Sequence, residues 1–448
     1  MRDAMKAGMT VCALLLLSSA VTYGQAKSTG SSAATPTAIT SSNVGFTLPS
    51  VDGTIHYALT ASEIVQYGYF GSGRATASTA LSGNASYSST SVDLPFNLLY
   101  AGGVLISESS GVNTTTYQNL AVSQGLIAKR WVLGITDSLS YLPQSPTTGL
   151  SGIQGVGDIG GYPVQGPSAG PAGGVLSYYG SRVSNGLSGS VERLLTGKTS
   201  ISGSGSWSVL HFLHGNDGYN SSQVSGQAGL NHRLDARDSM SVNGIYSIYN
   251  FGANLGGVSF TTRGVNGVYS RVLSRSLTMN LSAGPQWISS SNSALIPSSL
   301  NVAANAGLSY VYKLTTASLG YSRGVNAGSG VQVGGLSDTV SGSLGHSYGR
   351  EWQASASGAY SHTTGLVKGT LTPPPGAVYP LGGDFTTVYG AVQVSHRLSR
   401  SLSMYASAGV QHQSHDAGFI GNNAFTGTSQ TFGIGITFAP RSTRLGQF

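Results

Sequence analysis

The chain is poor in charge and, beyond its first residues, has no cysteine. Lys, Arg, Asp and Glu make up 8% of its 448 residues, against roughly 25% in ordinary soluble domains. Soluble proteins stay dispersed through surface charge, so this scarcity fits a chain that is membrane-embedded or fibrous. The single cysteine, Cys12, lies in the N-terminal apolar run. The remainder can therefore form no disulfide and offers no thiolate to a metal. Helix formers such as Glu, Lys and Gln are scarce, and after residue 26 no apolar run approaches the ~20 residues a membrane helix needs. A membrane protein without membrane helices is left with the closed barrel, because lipid gives backbone groups no other partner. The net charge is +7, or +6 without Arg2, Lys6 and Asp3. Its basic residues are spread singly, which excludes a nucleic-acid surface.

The first residues set the compartment. Arg2 and Lys6 precede a short apolar run, Val11 to Leu17, and small residues follow from Ser18 to Ala26. This is the layout of a cleaved secretory signal, with cleavage after Gly24 or after Ala26 both open. Residues 27–52 read as a flexible Ser/Thr/Ala-rich lead, 53–439 as one barrel and 440–448 as a C-terminal tail.

Alternation with a period of two dominates after the lead. In TFGIGITF, Phe432, Ile434, Ile436 and Phe438 share one face, opposite Thr431, Gly433, Gly435 and Thr437. Leu277, Met279, Leu281 and Ala283 are set in the same way against Thr278, Asn280, Ser282 and Gly284, and residues 352–360 and 402–411 repeat the pattern. Such segments, apolar outward and small or polar inward, suit strands that face lipid on one side and water on the other. Short basic turns recur between them: ERLLTGKTS, HRLDARDSM, SRVLSRSLT, YKLTTASLG and HRLSRSLSM. Arg193 to Arg233 is 40 residues and Arg233 to Arg271 is 38, one hairpin plus a longer loop each time. The expected fold is all-β: a single antiparallel transmembrane barrel of about 18 strands (16–20), with short periplasmic turns and long outer loops. The longest outer connection, 142 to about 175, is expected to fold into the lumen or to lie over its mouth.

Chemical motifs are few. Gly155 to Gly160 matches the dinucleotide fingerprint GxGxxG but lacks the strand before and the helix after that would place a phosphate. His412, His415 and Asp416 are metal-ligand types, yet 412 and 415 would point to opposite faces of a continuing strand. No paired carboxylates or isolated Ser/His pair suggest an enzyme, and no metal or cofactor site is expected. A gated transporter with an N-terminal plug domain is not expected, since only the short lead stands between the signal and the first strand.

The export signal, the basic-turn hairpins and the amphipathic terminal strand together resemble the porin-like outer-membrane barrels of diderm bacteria, over residues 1–26 and 54–438. The stretch 117–152, beginning YQNLAVSQGLIAKRW, is similar to uncharacterised members of that class. The resemblance implies location in the cell outer membrane. It also implies recognition by the insertion machinery through the last strand, at Phe438 or the terminal Phe448.

The functional expectation is a channel for passive diffusion of small polar solutes, lined by Asn243, Asn280, Asn305, Gln393, Tyr405 and Gln411. The alternative is a structural or surface-presenting barrel, with polymer export as one role, whose lumen is plugged by the long loop. Arg193, Arg233, Arg237, Arg271, Arg275, Arg397 and Arg400 form the expected basic periplasmic rim. They would either anchor to anionic headgroups or attract anions. Partners are outer-membrane lipid, the insertion machinery, small polar solutes and, as an open alternative, further copies of the chain.

Overall fold

The computed structural model describes residues 53–68, 75–89, 91, 93–107, 114–142, 181–213, 218–252, 258–328, 330–368, 383–416, 425–440 and 443–445. The signal segment, the lead and most of the 142–175 connection lie outside them.

Eighteen antiparallel strands run up and down in chain order. The first nine are β1 (Gly53–Tyr67), β2 (Ala75–Ser89), β3 (Phe96–Ser107), β4 (Thr115–Ala128), β5 (Trp131–Leu142), β6 (Arg182–Leu194), β7 (Thr199–Phe212), β8 (Ser221–Arg233) and β9 (Asp238–Phe251). The rest are β10 (Ser259–Val272), β11 (Leu277–Ser290), β12 (Ser299–Tyr312), β13 (Thr315–Asn326), β14 (Gly335–Tyr348), β15 (Trp352–Gly365), β16 (Asp384–Arg397), β17 (Leu402–His415) and β18 (Gly427–Phe438). β1 pairs with β18 from Leu59↔Phe438 to Tyr67↔Gln430, which closes the sheet and removes its edges. The tail is not wholly outside the sheet: Thr443–Leu445 forms a short β19 on the first residues of β1.

The two faces of the wall follow from the alternation. Phe432, Ile434 and Ile436 are exposed on the outside, whereas Thr431 and Thr437 are buried on the inside. Exposed apolar rows of this kind, continued by Leu281, Val265, Leu344 and Val392, are stable only against lipid. Aromatic residues bound the belt: Trp131, Tyr348 and Trp352 near the turns, Tyr67, Tyr246 and Trp287 toward the other end.

The basic repeat has a defined turn geometry. In four hairpins a leucine opens a four-residue turn: Leu195, Leu234, Leu273 and Leu398 each donate their backbone N–H to the carbonyl four residues on, at 2.9–3.0 Å. The next residue caps the turn with its side chain. Asp235 Oδ1 accepts from the N–H groups of Arg237 and Asp238, at 2.5 and 2.8 Å, and Ser399 Oγ accepts from those of Ser401 and Leu402. These amides hold the Asp235 carboxyl below the usual carboxylate range. Two hairpins use two-residue turns with Lys129 (φ 48°) and Lys313 (φ 49°) in the left-handed region that such turns require.

Candidate functional site: the lumen and its two mouths

The inner wall is built from small and hydroxylated residues that bond across strands. Ser206 meets Ser225 at 2.6 Å, Ser318 meets Ser343 at 2.7 Å, Ser337 meets Thr363 at 2.7 Å, and Thr60 meets Thr437 at 3.0 Å. Glycines leave room for the larger inward side chains to lie flat. A Cβ at Gly435 would stand 2.7 Å from the Tyr405 ring, and one at Gly229 would overlap the Asn243 amide. Both side chains therefore cover a neighbouring strand instead of reaching into the bore.

At the turn end the bore opens into a cavity of about 850 Å³, lined among others by Tyr389, Gln393, Tyr405, Ser407, Arg397 and Arg400. Strand parity places all six of the expected lumen residues on the inner wall, but the structure does not bring them together. Gln393 and Tyr405 line this cavity. Asn280 and Asn305 sit on β11 and β12, where Asn305 Nδ2 donates to Ser282 Oγ at 3.3 Å. Asn243 and Gln411 are buried, and among the described residues the side-chain N–H group of each meets no acceptor.

The basic residues divide as well. Arg193 turns outward and lies over the Trp131 ring at 5.1 Å, and Arg271 turns outward to Asp238 at 3.6 Å. Arg233 and Arg397 are on inward positions. Arg397 is folded onto its own turn, donating to the carbonyls of Ser399 and Arg400 at 2.9 Å. Arg237, Arg275 and Arg400 occupy turn tips. His232 bonds Thr199 and His396 stacks on Trp352 at 4.2 Å, both on the outside near the turns. His412 faces outward to Thr428, whereas His415 faces the opposite way, toward Phe385.

The loop end is built differently. Inward aromatics of β9 and β10 form a stack, with Tyr249 on Phe260 at 4.5 Å and Phe251 at 5.9 Å. Phe260 has no exposed surface. Outer connections pack on it, among them Leu295 and Ile296 from β11–β12, Ala327 and Val333 from β13–β14, and Val367 from β15–β16. They are tied together by backbone bonds, Lys368 N–H to the Leu295 carbonyl at 3.0 Å and Leu366 N–H to the Gly334 carbonyl at 3.2 Å.

Among the described residues, those of the β13–β14 connection reach furthest. Tyr219, between β7 and β8, donates its N–H to the Gly330 carbonyl at 2.8 Å. Those strands are six places away, so the segment cuts across the inside of a third of the wall as a strap. Its path needs glycine. Gly330 (φ +78°) lies against the Phe212 ring, and Gly334 (φ +74°) lies against Phe260. Val331 and Gln332 are each 1% exposed within it. The sequence pointed to 142–175 as the connection that folds into the lumen or lies over its mouth, most of it outside the described residues, and did not point to this strap. The available signal was GVNAGSGVQVGG (324–335), where glycines interrupt an apolar alternation. A smaller set packs on the opposite arc, where Gln413 Nε2 donates to the Phe425 carbonyl at 2.6 Å and Thr387 donates to Gln413.

A closed barrel with an apolar outer belt, aromatic girdles and a hydroxyl-lined bore is an outer-membrane barrel of porin-like architecture. No protein-family model matches the sequence, and no curated protein sequence matches it. Among solved structures the chain is similar to OccK2 (OpdF) of Pseudomonas aeruginosa, at 10% identity and a TM-score of 0.41, covering 89% of this chain and 99% of that one. It is similar to OpdK of the same organism solved with vanillate, at 11% identity and 0.42, covering 88% and 100%. OccAB3 of Acinetobacter baumannii matches at 11% identity and 0.40, covering 87% and 99%.

Proposed function

We propose that the protein is an outer-membrane channel for passive diffusion of small, polar, near-neutral solutes. The reading is supported above all by the inner wall. Eighteen strands enclose more space than side chains alone can fill, and Tyr405 and Asn243 lie flat over glycines. Hydroxyls and amides such as Gln393 then meet the solute, and hydrogen bonding replaces part of its hydration. The turn-end cavity serves as a vestibule and the strap sets the aperture. The apolar packing beneath the outer loops favours a second reading, a barrel held shut at its loop end. Reconstitution of the refolded full chain in planar bilayers separates the two. Stable single-channel openings are expected of the diffusion channel, and persistent silence of correctly folded protein refutes it.

A further inference from the structure

On the lipid-facing side, Arg263 of β10 stands in register between Tyr246 of β9 and Trp287 of β11. Among the described residues it makes no hydrogen bond or ion pair. Arg323, also outward and near the loop end, instead bonds Asp338 at 2.6 Å. Toward the loop end from Arg263 the surface becomes hydroxylated: Thr261 meets Ser289 at 2.8 Å, and Ser259 donates to Ser291 at 3.1 Å. Toward the midplane it becomes an apolar groove of about 830 Å³, floored by Gly226, Ala228 and Gly244 and walled by Tyr246, Val265 and Trp287. Arg263 therefore marks the line where headgroup gives way to hydrocarbon.

An uncompensated guanidinium at that depth is costly, and an anion supplied from the lipid removes the cost. We propose that this patch is a binding site for an anionic, phosphate-bearing membrane lipid, its phosphate on Arg263 and one acyl chain in the groove. The flanking rings suit that boundary, and the hydroxyls above can bond the rest of the headgroup. A second copy meeting this face through a two-fold contact would set Arg263 against its own equivalent, and free phosphate would leave the groove empty.

The site contains its own reporter. A variant with Trp131, Trp207 and Trp352 changed to Phe keeps Trp287 as the sole indole. In vesicles, its quenching by brominated phosphatidylglycerol is compared with quenching by brominated phosphatidylcholine. An apparent preference of about fivefold for the anionic lipid is expected, the scale of one arginine at an anionic surface. Arg263→Gln should bring it near one, and Arg263→Lys should retain most of it. A matching variant that keeps only Trp207, whose cross-strand neighbours are Leu187 and Val224, should show little preference. Equal quenching of Trp287 by both lipids, or an unchanged preference in Arg263→Gln, overturns the proposal. No quenching by either lipid would mean the groove is covered by protein. Loss of the preference on adding inorganic phosphate would assign the site to the free ion.

Discussion

The two ends of the bore are made from the same strands yet hold together by different means. At the turn end, short turns are fixed by local bonds from Asp235, Ser399 and their equivalents, and the mouth widens into a polar cavity. At the loop end, connections distant in sequence pack on Phe260 and bond one another. Order at the first is local and decided by four residues at a time. Order at the second depends on apolar burial between segments as far apart in sequence as Tyr249 and Val367. A barrel can thus keep one mouth open and narrow the other without changing its wall.

The sharpest way to break this contrast is to remove an anchor at each end. Phe260→Ala should cost about 3–5 kcal/mol, as for a fully buried phenylalanine, measured by urea titration in detergent or vesicles. Tyr405→Ala, beside a wide cavity into which the vacated space would open, should cost well under half of that. Equal losses would mean that the loop-end cluster contributes nothing special.

The local half of this contrast was legible in the sequence. Strand after strand of the wall can be read from alternation alone, because lipid on one side and water on the other enforce a period of two. The turn repeat was legible because Leu followed by Thr, Asp or Ser recurs at fixed offsets from the strand ends. The strap was not, because Val333 is buried among residues of β9 and β10 and of the β11–β12 and β15–β16 connections, and no local pattern encodes that company. The lumen residues were legible by parity only. Whether an inward Asn projects, as a pore residue would, or lies flat depends on a glycine one strand away, such as Gly229 beside Asn243.

Between the ends, the wall itself should respond to the face and not to the position. Leu281→Arg or Ile434→Arg should cost roughly 2–4 kcal/mol, whereas Ser282→Arg or Ser407→Arg should cost much less, since they face the bore. Refolding titrations of the pairs give the comparison, and equal sensitivity would make the wall a two-sided buried sheet.

The smallest expected effect lies at the open mouth. Arg397 and Arg400 line the cavity, and a charge about 8 Å from a passing ion in water is worth about 0.5 kcal/mol. Reversing both to Glu should move the reversal potential under a salt gradient toward cations by a few-fold in permeability ratio. Arg193→Glu and Arg271→Glu, on the lipid side, should leave it unchanged. A shift of the same size from the outward pair would erase the distinction between inner and outer arginines.

The central claim is that the strap, not the wall, sets the aperture. Asn326 and Gly335 already pair across β13 and β14, so residues 327–334 can be replaced by a two-residue Asn-Gly turn without disturbing either strand. Single-channel conductance of that variant, beside the native chain, is the most direct measurement. A severalfold rise with the barrel intact is the predicted result, and an unchanged conductance would contradict the account.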